Sequence, residues 1–256
     1  MIKRILACVK LVPAAAEVEM DGQFRLKRDG ANLQLNIADL SAVEAALRLK
    51  AAAPGREVTV LSMGPGKAEQ TLKELFALGV DRVVLLSDRA LAGADSLATA
   101  KALASAVRHL GGFDCILCGR RAMDAETGQI PGQLAAALEI PALTNVQGLD
   151  ESGGAIICDR RLENGVAKLE VTAPCLLSLC EYVYPLRLPS IMGRRRAKDK
   201  QVEVLTAADV GLTPDECGLS GSKTKVVHVD TKAPGLRKCQ YCDVKTLTEK
   251  LREVTG

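Results

Sequence analysis

Aromatic residues are scarce in this chain of 256 residues: they make up 2% of it, and tryptophan is absent. The core must therefore be built from alanine, valine, leucine and isoleucine. The same scarcity argues against nucleic-acid binding through bases stacked on aromatic rings. A net charge of +3 is too small to indicate a nucleic-acid partner on electrostatic grounds.

Long apolar runs are also missing. No stretch reaches the roughly 18 apolar residues of a membrane-spanning helix, and the first apolar stretch is too short for a secretory signal peptide. Nine cysteines in such a chain therefore predict reduced thiols and a cytoplasmic protein. The chain has only two histidines, which is too few for most histidine-based metal sites or acid–base mechanisms, so we expect no metal centre.

Short apolar runs that alternate with helical periods fill most of the chain. The runs at 4–9, 56–62, 82–87, 113–118 and 175–179 predict buried strands, and 141–146 predicts a further one. Helices are predicted over 67–78, 96–110 and 127–138, with Gly79 ending the first. This pattern predicts an α/β fold with a Rossmann-like, mainly parallel sheet that is covered by helices on both faces. The pairs Asp21-Gly22 and Asn164-Gly165 predict added β-hairpins.

The character of the chain changes after residue 179. Residues 180–200 contain prolines, two tyrosines and a basic cluster, and no helical or strand period fits them. We therefore expect a nucleotide-binding α/β domain over 1–179 and an extended arm and tail over 180–256 that pack on a partner, with a terminal helix over 244–254. The basic cluster suits either a solvated surface or docking to an acidic partner.

Four loops are predicted at the carboxyl edge of the sheet, where ligands of open parallel sheets bind: 10–13, 36–39, 63–66 and 119–129. In the last loop, GRRAMDAETGQ, Thr127 is predicted to cap a helix whose free N–H groups suit phosphate. Arg120 and Arg121 would add cationic contacts to the phosphate. Asp124 and Glu126 would accept hydrogen bonds from ribose hydroxyls. A capped helix with solvated charges explains the same residues, as helix capping does for Asn36 and Asp39.

Other nucleotide and metal motifs are weak or missing. Neither GxGxxG nor GxxxxGK[ST] is present. Cys115 and Cys118 lie on one predicted strand, where alternation places their thiols on opposite faces and indicates a core role. Cys239 and Cys242 suit a redox pair, half a zinc site or no role.

Several ordered segments resemble the β (small) subunit of electron-transfer flavoprotein, closer to its electron-bifurcating type. They are KRILACVKLVP, NIADLSAVEAALRLK, VTVLSMGPGKAEQTLKELFALGVDRVVLLSD, FDCILCGRRAMDAETGQ and LPSIMGRRRAK. The resemblance covers nearly the whole chain, although Ile37 stands where proline is usual. It implies a heterodimer with an α subunit. It also implies a bound nucleotide, which is AMP in ordinary members and a second FAD in bifurcating ones.

The loop DAETGQ is shorter than in AMP-binding members, which favours FAD, with NADH as electron donor and a low-potential acceptor such as ferredoxin. The resemblance implies these cofactor-binding residues: Cys8, Asn36, Ile37, Ala38, Asp39, Met63, Gly119, Arg120, Arg121, Ala122, Met123, Asp124, Ala125, Glu126, Thr127, Gly128 and Gln129. It implies docking of an acyl-CoA dehydrogenase-like partner through Tyr182, Tyr184, Leu186, Arg187, Leu188, Ile191, Met192, Arg194, Arg195 and Arg196. The alternatives are an ordinary AMP-binding subunit and a nucleotide-binding regulatory module.

Overall fold

The computed structural model of this chain describes residues 2–14, 33–227 and 241–255. They belong to two compact units, Met1–Lys225 and Val226–Gly256. The predicted turn at Asp21-Gly22 lies outside the described residues, although the strands on either side of that gap pair with each other. Among its described residues, the smaller unit contains one helix.

Strands account for much of the larger unit. In chain order they are β1 (Arg4–Val9), β2 (Leu11–Pro13), β3 (Leu33–Leu35), β4 (Glu57–Met63), β5 (Arg82–Leu86), β6 (Cys115–Gly119), β7 (Ala142–Ser152), β8 (Ala155–Leu162), β9 (Gly165–Val171), β10 (Cys175–Leu179) and β11 (Glu203–Leu205). Nine of them form one sheet in the order β11-β5-β4-β1-β6-β10-β7-β8-β9, while β2 and β3 form an antiparallel pair. All neighbours from β11 to β7 are parallel, and β8 and β9 add antiparallel hairpins.

Helices cover both faces of the sheet. The helices of the larger unit are α1 (Ile37–Ala52), α2 (Ala68–Lys73), α3 (Ser96–His109), α4 (Ile130–Leu138), α5 (Ile191–Ala197) and α6 (Gly218–Gly221). The smaller unit contains α7 (Val244–Thr255). Residues of α1 and α2 pack with one side of the strands, and residues of α3 and α4 pack with the other. The sheet has a hydrophobic core on each face, and alternate residues of a strand point into opposite cores. Ala7 and Leu117 lie in the first core, and Leu6 and Ile116 lie in the second. The predicted Rossmann-like α/β fold is confirmed.

Helix α2 is shorter than predicted. It ends at Lys73, and the chain continues as a 3-10 helix over Glu74–Leu78. Gly79 then adopts a left-handed φ of 107°, which confirms it as the stop. The expected terminal helix is also confirmed by α7.

The segment after residue 179 is not simply extended. The Ser190 hydroxyl accepts the Gly193 N–H at 2.9 Å and caps α5, which packs on the 3-10 helix of residues 74–78. Strand β11 then joins the sheet beside β5, so the compact unit continues past residue 179 to Lys225. A seven-residue helix is too short to produce a clear hydrophobic period, which explains why the sequence did not predict it.

Two helix-interior glycines offer a matched test of how closely α5 approaches its own domain. A Cβ on Gly193 would lie 2.2 Å from the Ala77 carbonyl oxygen, whereas a Cβ on Gly132 in α4 would meet nothing within 4 Å. We expect Gly193→Ala to lower the free energy of unfolding by about 1–3 kcal/mol despite its better helix propensity. We expect Gly132→Ala to raise it by about 0.5–1 kcal/mol. Urea unfolding measures both, and equal effects of the two changes would contradict the packing of α5.

Candidate functional site

Polar loops meet at the carboxyl edge of the three neighbouring strands β4, β1 and β6. Lys10 follows β1, Met63 ends β4, and residues 119–129, here called the β6–α4 loop, follow β6. The residues before α1 join them, because the Asn36 N–H donates to the Lys10 carbonyl at 2.9 Å. The structure therefore brings the four predicted segments together at one edge. Two of them are not loops as predicted, because Leu11–Pro13 form β2 and α1 already begins at Ile37.

The side chain of Asn36 holds the β6–α4 loop. Asn36 is 1% exposed, its Nδ2 donates to the Arg121 carbonyl at 2.9 Å, and its Oδ1 accepts the Met123 N–H at 3.1 Å. Although Asn36 occupies the position before α1, its side chain makes no capping bond. The capping interpretation of this side chain is therefore wrong, and its role is to fix the path of a loop 85 positions away.

Asp39 connects two strand ends in the same way. One carboxylate oxygen accepts the Lys10 N–H at 2.7 Å, and the other accepts the Gly119 N–H at 3.0 Å. Burial raises the pKa of Asp39 to about 7, although these bonds act in the opposite direction. A Cβ on Gly119 would lie 2.2 Å from the carboxylate, so only glycine fits there. Both oxygens accept backbone N–H groups, so the role of Asp39 is to connect the end of β1 to the end of β6.

The charged residues of the β6–α4 loop are paired within the protein. Lys10 Nζ lies 2.6 Å from Asp124 Oδ1. Glu181, just beyond β10, accepts Arg120 Nη2 at 3.0 Å and Arg121 Nε at 3.0 Å. Burial acts to raise the pKa of Glu181, but a hydrogen bond from its own backbone N–H and the two arginines together lower it overall. The predicted cationic and acidic groups are therefore already engaged with one another at this edge.

Helix α4 begins three residues later than predicted. Glu126 and Gly128 have left-handed φ angles of 52° and 62°, which no helix tolerates, and α4 starts at Ile130 with proline in its first turn. Thr127 is therefore not the cap, and Gln129 occupies that position without a capping bond. Within the described part of the chain, the N–H groups of Thr127 and Gly128 have no protein acceptor.

The remaining predicted nucleotide residues are distributed around the same edge. Cys8 is buried on β1, and Ile37 and Ala38 open α1. Ala122 and Ala125 belong to the β6–α4 loop itself. Gln129 turns toward α3, where its Oε1 accepts the Ser96 hydroxyl at 2.5 Å. Glu181 was not among the predicted residues, although its place directly after a buried parallel strand is the signal that identifies edge residues.

The predicted docking residues divide into two groups. Arg187 pairs with Glu44 of α1 at 2.9 Å, Tyr184 donates its hydroxyl to the Leu149 carbonyl, and Leu186 packs against the core. These three hold the arm on its own domain. The others are exposed, with Leu188 at 89% and Ile191 at 86%, and they include Tyr182, Met192, Arg194, Arg195 and Arg196.

The predicted core role of Cys115 and Cys118 is confirmed. Cys115 belongs to one core and Cys118 to the other, which confirms that their thiols lie on opposite faces of β6. All eight described cysteines are free, and seven are buried. Cys242 is exposed, and Cys239 lies outside the described residues. None of the helices described for this chain combines the length and apolar character needed to span a bilayer.

These features define a class: a Rossmann-like α/β protein with a clamped polar loop at the carboxyl edge of its parallel sheet. Comparison with known proteins narrows this class. The family model for the electron transfer flavoprotein domain matches residues 23–210. The chain belongs to the electron transfer flavoprotein family, among its β subunits.

Three relatives illustrate the similarity. The electron transfer flavoprotein subunit beta of Thermoanaerobacterium thermosaccharolyticum is 42% identical over 229 residues, which cover 89% of this chain and 87% of the relative. Subunit CarD of the caffeyl-CoA reductase–Etf complex of Acetobacterium woodii is 38% identical, with 87% and 86% covered. Protein FixA of Azorhizobium caulinodans is 36% identical, with 93% and 88% covered.

Proposed function

We propose that this chain is the FAD-binding β subunit of a heterodimeric electron-transfer flavoprotein. In this proposal the complex oxidises NADH and divides the two electrons. One goes to a flavin of the α subunit, and the other to a low-potential acceptor such as ferredoxin. The short DAETGQ loop and the similarity to a subunit of a caffeyl-CoA reductase–Etf complex support the bifurcating form.

The observation that carries this proposal is the clamping of the β6–α4 loop by Asn36. Two hydrogen bonds of one buried side chain fix the loop. The Thr127 and Gly128 N–H groups, for which the described residues offer no acceptor, lie before the positive end of α4. Such a donor set fits the phosphates of a nucleotide without requiring the loop to reorganise. A bound flavin supplies reversible one- and two-electron transfer, and the protein positions it and adjusts its potential.

The roles of individual residues follow from this donor set. We assign phosphate binding to the N–H groups of Thr127 and Gly128, and a second layer of support to Asn36 and Asp39. Cys8, Ile37, Ala38 and Met63, together with Gly119 to Gln129, would form the walls of the nucleotide site. Lys10 would hold Asp124 in place from the opposite side.

The exposed arm residues would serve partner recognition. Leu188, Ile191 and Met192 expose apolar side chains beside the cationic Arg194, Arg195 and Arg196. A surface of this kind suits a dehydrogenase with an acidic rim around an apolar patch, because charge steers the encounter and apolar contact stabilises it. The α subunit would be contacted by other parts of the chain, including the tail.

An ordinary β subunit that binds AMP is the second candidate. The same free N–H groups would hold a single phosphate equally well, so the choice depends on the length of the loop. A regulatory module that binds a nucleotide on its own is a weaker alternative, since the arm and tail exceed what a compact module needs.

The cofactor content of the complex distinguishes these candidates. The chain is co-expressed with an α subunit, purified, denatured with acid, and its released nucleotides are quantified by chromatography. We expect two FAD per heterodimer. One FAD and one AMP would reject the bifurcating form, and an isolated chain that binds ATP or AMP without any flavin would reject the electron-transfer role.

A further inference from the structure

A β-bulge interrupts the pairing of β10 with β7. Leu177 pairs with Leu143 and Leu179 with Val146, so Thr144 and Asn145 together lie opposite the single residue Ser178. Asn145 has a left-handed φ of 59°, a conformation that asparagine adopts more readily than most residues. Bulges are rare between parallel strands and often adjoin functional sites, because they redirect side chains. The bulge therefore places an extra residue of β7 opposite Ser178.

A cavity of about 270 Å³ lies beside this bulge, and we call it the bulge cavity. Its lining consists of Arg120, Arg121, Gly128, Thr144, Asn145 and Ser178. Cys8, Asn36, Asp39 and Met63 do not line it. The bulge cavity therefore adjoins the β6–α4 loop without including the residues that clamp that loop.

Two buried polar atoms of this lining have no hydrogen-bond partner in the described part of the chain. One is the hydroxyl of Ser178, a residue that is 1% exposed, and the other is Nε of Arg120. Leaving a buried donor unpaired costs free energy, so native structures usually satisfy such groups. A guanidinium can only donate hydrogen bonds, and a serine hydroxyl that lines the same cavity can donate one as well. The missing partner is therefore a group rich in acceptor oxygens.

The charge around the cavity is favourable for an anion. The guanidinium groups of Arg120 and Arg121 share the single carboxylate of Glu181. The second acid, Glu126, is exposed and lies 3.4 Å from Arg121, which makes it a weak surface partner. One positive charge is thus only loosely compensated next to the unpaired donors. Arginine with free N–H groups binds oxyanions such as phosphate in a directed manner.

We propose that the bulge cavity binds a phosphate-type oxyanion through Ser178 Oγ and Arg120 Nε. The oxyanion is either free or part of the phosphate chain of a bound nucleotide. This inference follows from the bulge, the cavity and the unpaired donors, and it holds whichever cofactor the complex carries.

The test is a calorimetric titration of inorganic phosphate into the full-length chain, purified as its complex and freed of nucleotide, at constant ionic strength. We expect saturable binding that Ser178→Ala weakens about tenfold, since one hydrogen bond to a charged group is lost. Arg120→Lys should weaken it to a similar extent, because the charge remains but the Nε donor is lost. Ser178→Ala removes an unpaired hydroxyl, so the variant is expected to fold as well as the parent.

Ser62→Ala is the matched control, because Ser62 is also 1% exposed and also has an unpaired hydroxyl, but it does not line the cavity. Its phosphate affinity should equal that of the parent. Absence of phosphate binding, or equal affinities in Ser178→Ala, Arg120→Lys and Ser62→Ala, would overturn the proposal.

Repeating the titration on nucleotide-loaded complex identifies the source of the oxyanion. Binding that persists supports a separate phosphate ligand, and binding that disappears supports occupation by the phosphates of the nucleotide. Failure of the proposed flavin function would be seen in the cofactor content, and it would leave the titration of nucleotide-free protein unchanged.

Discussion

As the pH rises from about 4 to about 7, the titration of Asp39 is expected to lower the free energy of unfolding by about 4 kcal/mol. Its carboxyl loses a proton near 3.8 when unfolded, but burial raises the pKa in the folded protein to about 7. The unfolded state therefore binds fewer protons across this interval, and stability falls as the pH rises. A difference of about three pH units at about 1.4 kcal/mol each gives the stated size. Above pH 7 this contribution is constant.

Asp39→Asn should remove the part of the pH dependence of stability that Asp39 causes. An amide accepts at only one of the two positions at which Asp39 binds the Lys10 and Gly119 N–H groups, so the variant should be about 1–3 kcal/mol less stable at pH 5. At pH 8 it should equal or exceed the parent. Urea unfolding at both values provides the comparison, and a stability difference that is the same at pH 5 and pH 8 would refute the assignment.

Asp114→Asn is the control for this experiment. The Asp114 carboxylate also accepts two backbone N–H groups, those of Lys3 and Arg4, but its pKa is lowered. Burial acts to raise that pKa, and the bonds outweigh it. Its stabilisation is therefore present above pH 3.8 and is lost as the pH falls through the lower folded value. The difference between parent and Asp114→Asn should consequently be the same at pH 5 and pH 8.

Asn36→Asp is expected to weaken nucleotide binding by thirtyfold or more. The change preserves shape, but a carboxylate cannot donate, and its oxygen would face the Arg121 carbonyl that Nδ2 now contacts at 2.9 Å. Losing this bond and adding a buried unpaired acceptor costs roughly 2–3 kcal/mol, which corresponds to the stated factor. The measurement is the dissociation constant of the nucleotide from the purified complex.

Asn164→Asp provides the same chemical change in an exposed hairpin turn. Either residue suits the turn before Gly165, so nucleotide affinity should not change. If Asn36→Asp retains its nucleotide as tightly as Asn164→Asp does, Asn36 does not determine the shape of the binding loop.

The central parallel strands were predictable because they are short, mainly apolar runs separated by helices. Strands β1 and β10 were predicted to the residue, and the Asn164-Gly165 hairpin was found from its turn. The start of α4 was not predictable from periodicity, since the chain reverses at Glu126 and Gly128 through backbone conformations that only the fold makes visible. The turn of the β7–β8 hairpin contains two adjacent glycines, Gly153 and Gly154, and such a pair is itself a sequence signal for a hairpin.

The location of the candidate site was predictable, but its internal bonds were not. Residues after parallel strands must share one edge, which brought Asn36, Asp39 and the β6–α4 loop into a common prediction. Which acceptor each side chain finds depends on strand register. Asp39 reaches Gly119 across 80 positions of sequence, and helix capping explained the same residue locally. Glu181, a partner of two arginines, differs, because its position just after β10 marks it as an edge residue from sequence alone.

The distribution of thiols has a practical consequence for spectroscopy. Seven of the eight described cysteines are buried. A maleimide dye applied to a Cys239→Ser variant of the folded protein should therefore react, among the described cysteines, at Cys242. Cys242 lies two positions before Val244, the first residue of α7, so the dye would report on that helix. Its emission would change when a partner surface covers α7, which offers a direct signal of subunit assembly without altering either core.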